Sequence, residues 1–462
     1  MTKIQAVRKE TMELHIRGLS RTLKIAILFA ALLTLALFTA GFAQTPDKTK
    51  LDQFFDRLAE KNKAMGSLNI TKDGNALYTR TIGYSQINGT EKKPLTAATR
   101  YRVGSVTKMF TAAMIFQLIE VGKLKLTDHL DKFFPQIPNA NKITIAHILA
   151  HSSGIHEVTG DPDFRTRRFD PITKDEMVAI IAKSTPDFEP GSKYAYSSSG
   201  YQLLSIIVEK ITGKSYEEAL KERITSKIGL KDTYPGTGKI DVNKNESFSY
   251  RFGRDWEQQP ETHISILFGS GALISTPADM AKFIQVLFDG KIVSKESLDQ
   301  MMQDKLGMTT FTYHGTTFYG HTGGIDNFGS WLVYLPEEKL VVSYATNAKV
   351  YPVTNIIDGV FDIYWNKPFA IPTFESIAVS PEVLDKYVGV YSIPGAPVKF
   401  TVSSDGTTLF VQMPGQSAIP LEPTAQDKFK IESPEIFFEF DATKNQMIQK
   451  RDGRERVFTK EN

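Results

Sequence analysis

The stretch YRVGSVTKMF, residues 101–110, sets Ser105 and Lys108 three positions apart where the apolar run MFTAAMIFQLIEVG begins. If that run is a helix, residues i and i+3 share a face, so the lysine amine lies one turn along from the serine hydroxyl. A serine hydroxyl is a weak nucleophile near neutral pH and needs a base within hydrogen-bonding reach. Burial against the apolar run would lower the Lys108 pKa toward that role. Free amides and the helix dipole in the first turn would steady anions formed at Ser105. The same spacing also suits a polar helix start with a solvated lysine, and a chain of 462 residues can hold one such match by chance. It is the only Ser-x-x-Lys in the sequence.

Working outward, the chain is long enough for two or more domains, with average hydrophobic and charged fractions. Cysteine is absent, which excludes disulfides, thiol catalysis and Cys-ligated zinc. At the N-terminus, a basic stretch runs into Ile25–Ala40, IAILFAALLTLALFTA, and then GFAQ. This is the layout of a signal peptide over residues 1–43, with Gly41 and Ala43 preceding a cut before Gln44. The rival is an uncleaved membrane anchor formed by residues 25–40. Residues 1–43 carry a net +4, so the remainder falls from +3 to −1, which gives no reason to expect a nucleic-acid partner. The expected location is periplasmic or secreted, with the membrane involved only if the segment stays uncleaved.

LDQFFDRLAEKN places Leu51, Phe54, Phe55 and Leu58 on one helical face. GSLNITKDGNALYTRTIGY alternates about Asp73-Gly74-Asn75 as a β-hairpin does. Residues 127–290 read as mostly helical, and from about 310 the period changes to two, with VTNIIDGVFDIYW closing as a helix. This order predicts an α/β (α+β) domain over 44–370: an antiparallel sheet built from both ends, flanked by helices, with a helical subdomain inserted. Three prolines interrupt NKPFAIPTFESIAVSPE, giving a linker at 371–380. Residues 381–462 then read as short strands only, a small C-terminal β-barrel.

Three further segments accompany Ser105 and Lys108. They are AHILAHSSGI near residue 150, Tyr196 in YSSSGY, and His321-Thr322-Gly323-Gly324 in YGHTGGIDNFG. In order and spacing they resemble the serine β-lactamase and penicillin-binding-protein superfamily, in the branch of class C β-lactamases, D-Ala-D-Ala carboxypeptidases and esterases. The resemblance covers about residues 50–365 and extends to the small barrel appended in many members. It implies that Ser105 is acylated, that Lys108 is its proton partner, and that Tyr196 relays protons to the leaving group and from water. It also implies an oxyanion hole of the Ser105 and Gly324 amides, and a substrate edge formed by Ser198, His321, Thr322 and Gly323. Two adjacent glycines after Thr322 leave that strand bare for a substrate backbone.

Two positions depart from the pattern. The family's Tyr-x-Asn reads Tyr196-Ser197-Ser198 here, and Ser198 lacks the amide that holds the substrate's acyl amide. His321 stands where β-lactamases carry lysine and is mostly neutral at pH 7. Tyr194 and Tyr201 read as packing residues beside the site. His147 and His151 read as structural, because Ile148 occupies the Glu position of a His-Glu-x-x-His zinc pair. A Gly-x-Ser-x-Gly elbow is absent. The expectation is a serine hydrolase acting on a small amide, peptide or ester, needing no metal or organic cofactor. The rivals are a class C-like β-lactamase or penicillin-sensitive carboxypeptidase, and a non-catalytic sensor of peptidoglycan or β-lactams.

Overall fold

The computed structural model describes residues 45–461 except Ser376, Ala396, Pro397, Gly415 and Ser417. The signal-segment reading, residues 1–43 with its cut before Gln44, lies outside the described residues. Helix α1 (Lys48–Glu60) is capped by the Asp47 carboxylate and buries Leu51, Phe54, Phe55 and Leu58 completely. Strands β1 (Ala64–Lys72) and β2 (Asn75–Ile82) form the hairpin about Asp73-Gly74. Four strands from far along the chain complete the sheet: β3 (Thr309–Tyr313), β4 (Thr316–Ile325), β5 (Phe328–Leu335) and β6 (Leu340–Lys349). The order is β3-β4-β5-β6-β1-β2, antiparallel throughout, so β1 pairs with β6 across most of the domain's sequence.

Alternation along these strands gives two apolar faces. Leu68, Ile70, Val342 and Tyr344 meet α1 and helix α5 (Val353–Tyr364). The other face meets α4 (Pro277–Phe288) and, beyond it, the apolar α2 (Thr107–Glu120) and α3 (Ser198–Thr212). Helix α2 is buried on nearly every side, as its sequence of apolar residues all round requires. Residues 127–290 hold helices but also strands of two or three residues. Leu273–Ser275 pairs with Tyr101–Arg102 and Tyr234–Pro235, and Tyr250–Phe252 pairs with Trp256–Gln258. Such segments are too short to show a period of two.

The C-terminal region is a closed antiparallel barrel of eight strands: β7 (Gly389–Ser392), β8 (Lys399–Ser404), β9 (Leu409–Gln412), β10 (Ile419–Ala425), β11 (Lys428–Ile431), β12 (Ile436–Asp441), β13 (Gln446–Arg451) and β14 (Arg454–Lys460). The expectation of strands only needs one correction. Helix α6 (Pro381–Tyr387) precedes the barrel, with Pro381 in its first turn, where a missing N–H costs nothing. Lys63 joins the two regions. Its ammonium, 7 % exposed, contacts the carboxylates of Glu422 and of Glu432, the latter at 3.2 Å.

Candidate active site

Ser105 lies in a single 3-10 turn, Gly104–Val106, that leads into α2. Gly104 has φ +51°, and a Cβ there would meet the Gly324 amide nitrogen at 2.7 Å. A Cβ on Gly323 would sit 2.0 Å from the Val103 carbonyl and 3.0 Å from the Ser105 nitrogen. Only glycines let the turn and strand β4 touch at this range. The contact sets the Ser105 and Gly324 amides beside each other, and the Ser330 hydroxyl fixes it by donating to the Val103 carbonyl at 2.7 Å.

One turn beyond Ser105, as the second residue of α2, Lys108 is wholly buried. Its Nζ donates to the Ser270 carbonyl at 2.7 Å, to Ser105 Oγ at 3.1 Å and to Ser198 Oγ at 3.3 Å. Burial brings its pKa down from 10.5 to about 7, against the opposing pull of the Glu157 carboxylate. The Tyr196 hydroxyl donates to Ser105 Oγ at 2.7 Å. Burial of that hydroxyl raises its pKa well above 10 while the bond to Ser105 opposes the rise, so Tyr196 is a neutral phenol at pH 7. Lys108 is therefore the group poised to take the serine proton, and Tyr196 the one placed to pass a proton on.

His321 is buried and donates from Nδ1 to the Thr322 carbonyl at 2.5 Å, since a carbonyl can only accept. Burial and the nearby Lys108 lower its pKa to about 4, so it offers an acceptor Nε2 and no positive charge. Thr322 and Gly323 are half-buried on β4, and Gly324 is exposed. Ser198 starts α3 and turns its hydroxyl to Lys108.

Several residues that the sequence left aside belong to this site. His151 stacks on Tyr196 with centroids 4.4 Å apart, and its Nδ1 accepts from the Ser197 amide at 3.1 Å. Burial, Lys108 and His321 lower its pKa to about 3, so it is a neutral support for the phenol. His147 instead accepts from the Thr144 amide in the capping box of its own helix. Glu157 accepts from the Ser198 amide at the N-terminus of α3 and from the Thr159 amide at 3.1 Å. A carboxylate is favoured at a helix N-terminus, but Glu157 reaches α3 from 41 residues away in sequence, and no local pattern marks it. Ser270 contributes only a backbone carbonyl, which no sequence pattern marks. Tyr201 is buried, its hydroxyl on the Leu149 carbonyl. Tyr194, in the loop that follows Pro190-Gly191, is 67 % exposed and sets its ring edge-on to His151, centroids 5.9 Å apart.

A serine contacted by a buried lysine and a tyrosine, with two adjoining amides at a sheet edge, defines the class: a serine hydrolase of the β-lactamase and penicillin-binding-protein superfamily. The family model described as Beta-lactamase matches residues 51–360, well over half of the chain, and the chain belongs to that family. It is 24 % identical over 422 residues to penicillin-binding protein 4* of Bacillus subtilis (strain 168), covering 84 % of this chain and 93 % of that protein. It is 24 % identical over 393 residues to the D-alanyl-D-alanine-carboxypeptidase/endopeptidase AmpH of Escherichia coli (strain K12), covering 76 % of this chain and all of that one. The crystal structure of a D-stereospecific amidohydrolase from Streptomyces sp. superposes with a TM-score of 0.59 at 26 % identity, covering 69 % of this chain and 99 % of that one.

Proposed function

We propose that this chain hydrolyses small amides, peptides or esters of D-amino acids through an acyl-enzyme on Ser105. The observation that carries the reading is the pair of contacts on one oxygen: Ser105 Oγ lies 3.1 Å from Lys108 Nζ and 2.7 Å from Tyr196 Oη, with the lysine pKa near 7. Neutral Lys108 takes the hydroxyl proton as Oγ attacks the carbonyl carbon. The oxyanion develops beside the Ser105 and Gly324 amides, each such donor contributing about 3 kcal/mol. Tyr196 hands its proton to the departing amine or alkoxide and is reprotonated from Lys108. Water then repeats the sequence in reverse and frees Ser105. Preference for a D-configured substrate is supported by the names of AmpH and of the Streptomyces amidohydrolase. An uncharged His321 and the short Ser198 make a weak clamp for a β-lactam carboxylate and acyl amide, which favours amidase or esterase work over antibiotic breakdown. The signal-peptide layout of residues 1–43 supports a site of action outside the cytoplasm.

The test is to incubate the protein with a fluorophosphonate, a fluorescent penicillin, D- and L-alanine p-nitroanilide and p-nitrophenyl esters, and to map adducts by mass spectrometry. Labelling at Ser105 and turnover of the D-anilide, both lost in Ser105→Ala, are expected. Failure of every reagent to label Ser105 would sink the hydrolase reading, and fast turnover of penicillin would replace it with the β-lactamase.

A further inference from the structure

The barrel interior is only partly filled. In one portion Leu384 and Tyr387 of α6 pack against the barrel side chains, with the Tyr387 and Phe440 rings stacked 4.7 Å apart and Phe429 closing on both. Beyond Phe400 and Phe438 a cavity of about 500 Å³ opens, its wall made by Val411, Ile431 and Ile436 among others. Eight strands enclose just enough room for packed side chains or for one small ligand, and this volume lies within the usual range of ligand pockets.

The β13–β14 hairpin carries the mouth of that cavity. Buried Met447 stands opposite buried Phe458; two residues on, Gln449 faces Arg456, and two further, Arg451 faces Arg454. A strand's period of two keeps all three pairs on the cavity side, and Gln449, Arg451, Asp452, Arg454 and Arg456 line the cavity, the arginines exposed at its mouth. The outward pair between them is balanced: Lys450 opposes Glu455 at 3.1 Å and also meets Glu439 at 3.2 Å. The inward pair sets arginine against arginine. Like charges directly opposite destabilise a hairpin, and among the described residues the carboxylate that answers is Asp452, on Arg451 at 3.2 Å. Arg454 and Arg456 have no acidic partner among the described residues. Guanidinium groups so placed match a carboxylate or phosphate in two-pronged fashion.

We propose that the barrel binds an amphiphile, its apolar tail in the cavity and its anionic head among Arg451, Arg454 and Arg456. The inward arginines are then the head-group site, and their mutual repulsion is relieved when the ligand is in place. The shared chemistry of the head admits a free fatty carboxylate or a lipid phosphate.

The full chain is titrated calorimetrically, below micelle-forming concentrations, with dodecanoate, dodecyl phosphate, dodecyl maltoside and inorganic phosphate. Saturable binding of one dodecanoate or dodecyl phosphate per chain is expected, and the stronger of the two identifies the head. Affinity should fall at least tenfold in R451Q/R454Q/R456Q. That variant, freed of the repulsion, should melt no lower than wild type without ligand and label at Ser105 as fast, which separates lost binding from lost folding. A Val411→Trp substitution fills the cavity and should block binding with the arginines intact. The proposal is overturned if neither dodecyl anion binds saturably, or if dodecyl maltoside or inorganic phosphate binds as tightly as they do. Unchanged affinity in the arginine variant overturns it too.

Discussion

The acylation of Ser105 should follow the titration of Lys108. Burial takes that ammonium from 10.5 to about 7, a penalty of about 5 kcal/mol on the charged form. At pH 7 about half the molecules then hold a neutral amine, against about one in 3,000 for an unshifted lysine. The assay is the second-order rate of labelling by an uncharged fluorophosphonate between pH 5 and 9.5. The rate should climb about tenfold per unit on the acid side, bend near 7 and level off above 8. Lys108→Met should slow it by about 10² to 10⁴, the usual worth of a positioned base. The same variant has a stability signature. The folded lysine pKa lies below the unfolded one, so the unfolded chain binds more protons between pH 7 and 10.5, and stability rises with pH across that window. Below pH 7 the whole penalty is present. Lys108→Met should therefore be more stable than wild type by a few kcal/mol at pH 6.5, after subtracting about 1–3 kcal/mol for the unpaired Ser270 carbonyl. That margin should shrink steadily toward pH 10. A labelling rate still rising at pH 9.5, or a stability margin indifferent to pH, would refute the reasoning.

Glu157 holds the Lys108 pKa up, so Glu157→Gln should move the bend of the labelling profile to the acid side of the wild-type one; a shift toward alkali would contradict the assignment. Ser198→Asn returns an amide to the substrate edge and should raise kcat/KM for D-anilides relative to matched esters about five-fold, the worth of one hydrogen bond near 1 kcal/mol; an unchanged ratio would show that Ser198 is not at that edge. Lys63→Met takes from Glu432 the partner that ties the two regions, while Lys430 still holds that carboxylate at 2.8 Å, so the cost should be about 1 kcal/mol. Limited proteolysis within 366–380 should accelerate while Ser105 labelling is kept, and unaltered cleavage would mean that Lys63 does not hold the barrel.

What could be read from the sequence was whatever is local. The three-residue offset of Ser105 and Lys108 survives in the structure because a helix turn converts spacing directly into proximity. The hairpin about Asp73-Gly74, the amphipathic α1 and the alternating β3 to β6 were legible for the same reason. Glu157, the Ser270 carbonyl and the ring of His151 come to the site only through tertiary packing, and all three act through or upon backbone groups that any residue carries. In the barrel, β10 with its two prolines and β13 with its mixed polarity hide their period of two. The charge imbalance inside the β13–β14 hairpin needs the register to be visible at all.

The contact between Gly323 and the Val103–Ser105 turn has a bearing on the life of the newly made chain. Synthesis runs from the N-terminus, so the nucleophile and its lysine leave the ribosome long before strand β4 exists. Until β4, β5 and β6 have been made and β1 has found β6, one of the two amides that must receive the oxyanion is missing. Contacts of such long sequence separation form late. A nascent or truncated chain thus displays a serine with nowhere to place the charge of its first reaction step. Under the proposed mechanism, order of synthesis leaves Ser105 without a complete oxyanion site until β4 to β6 have been added.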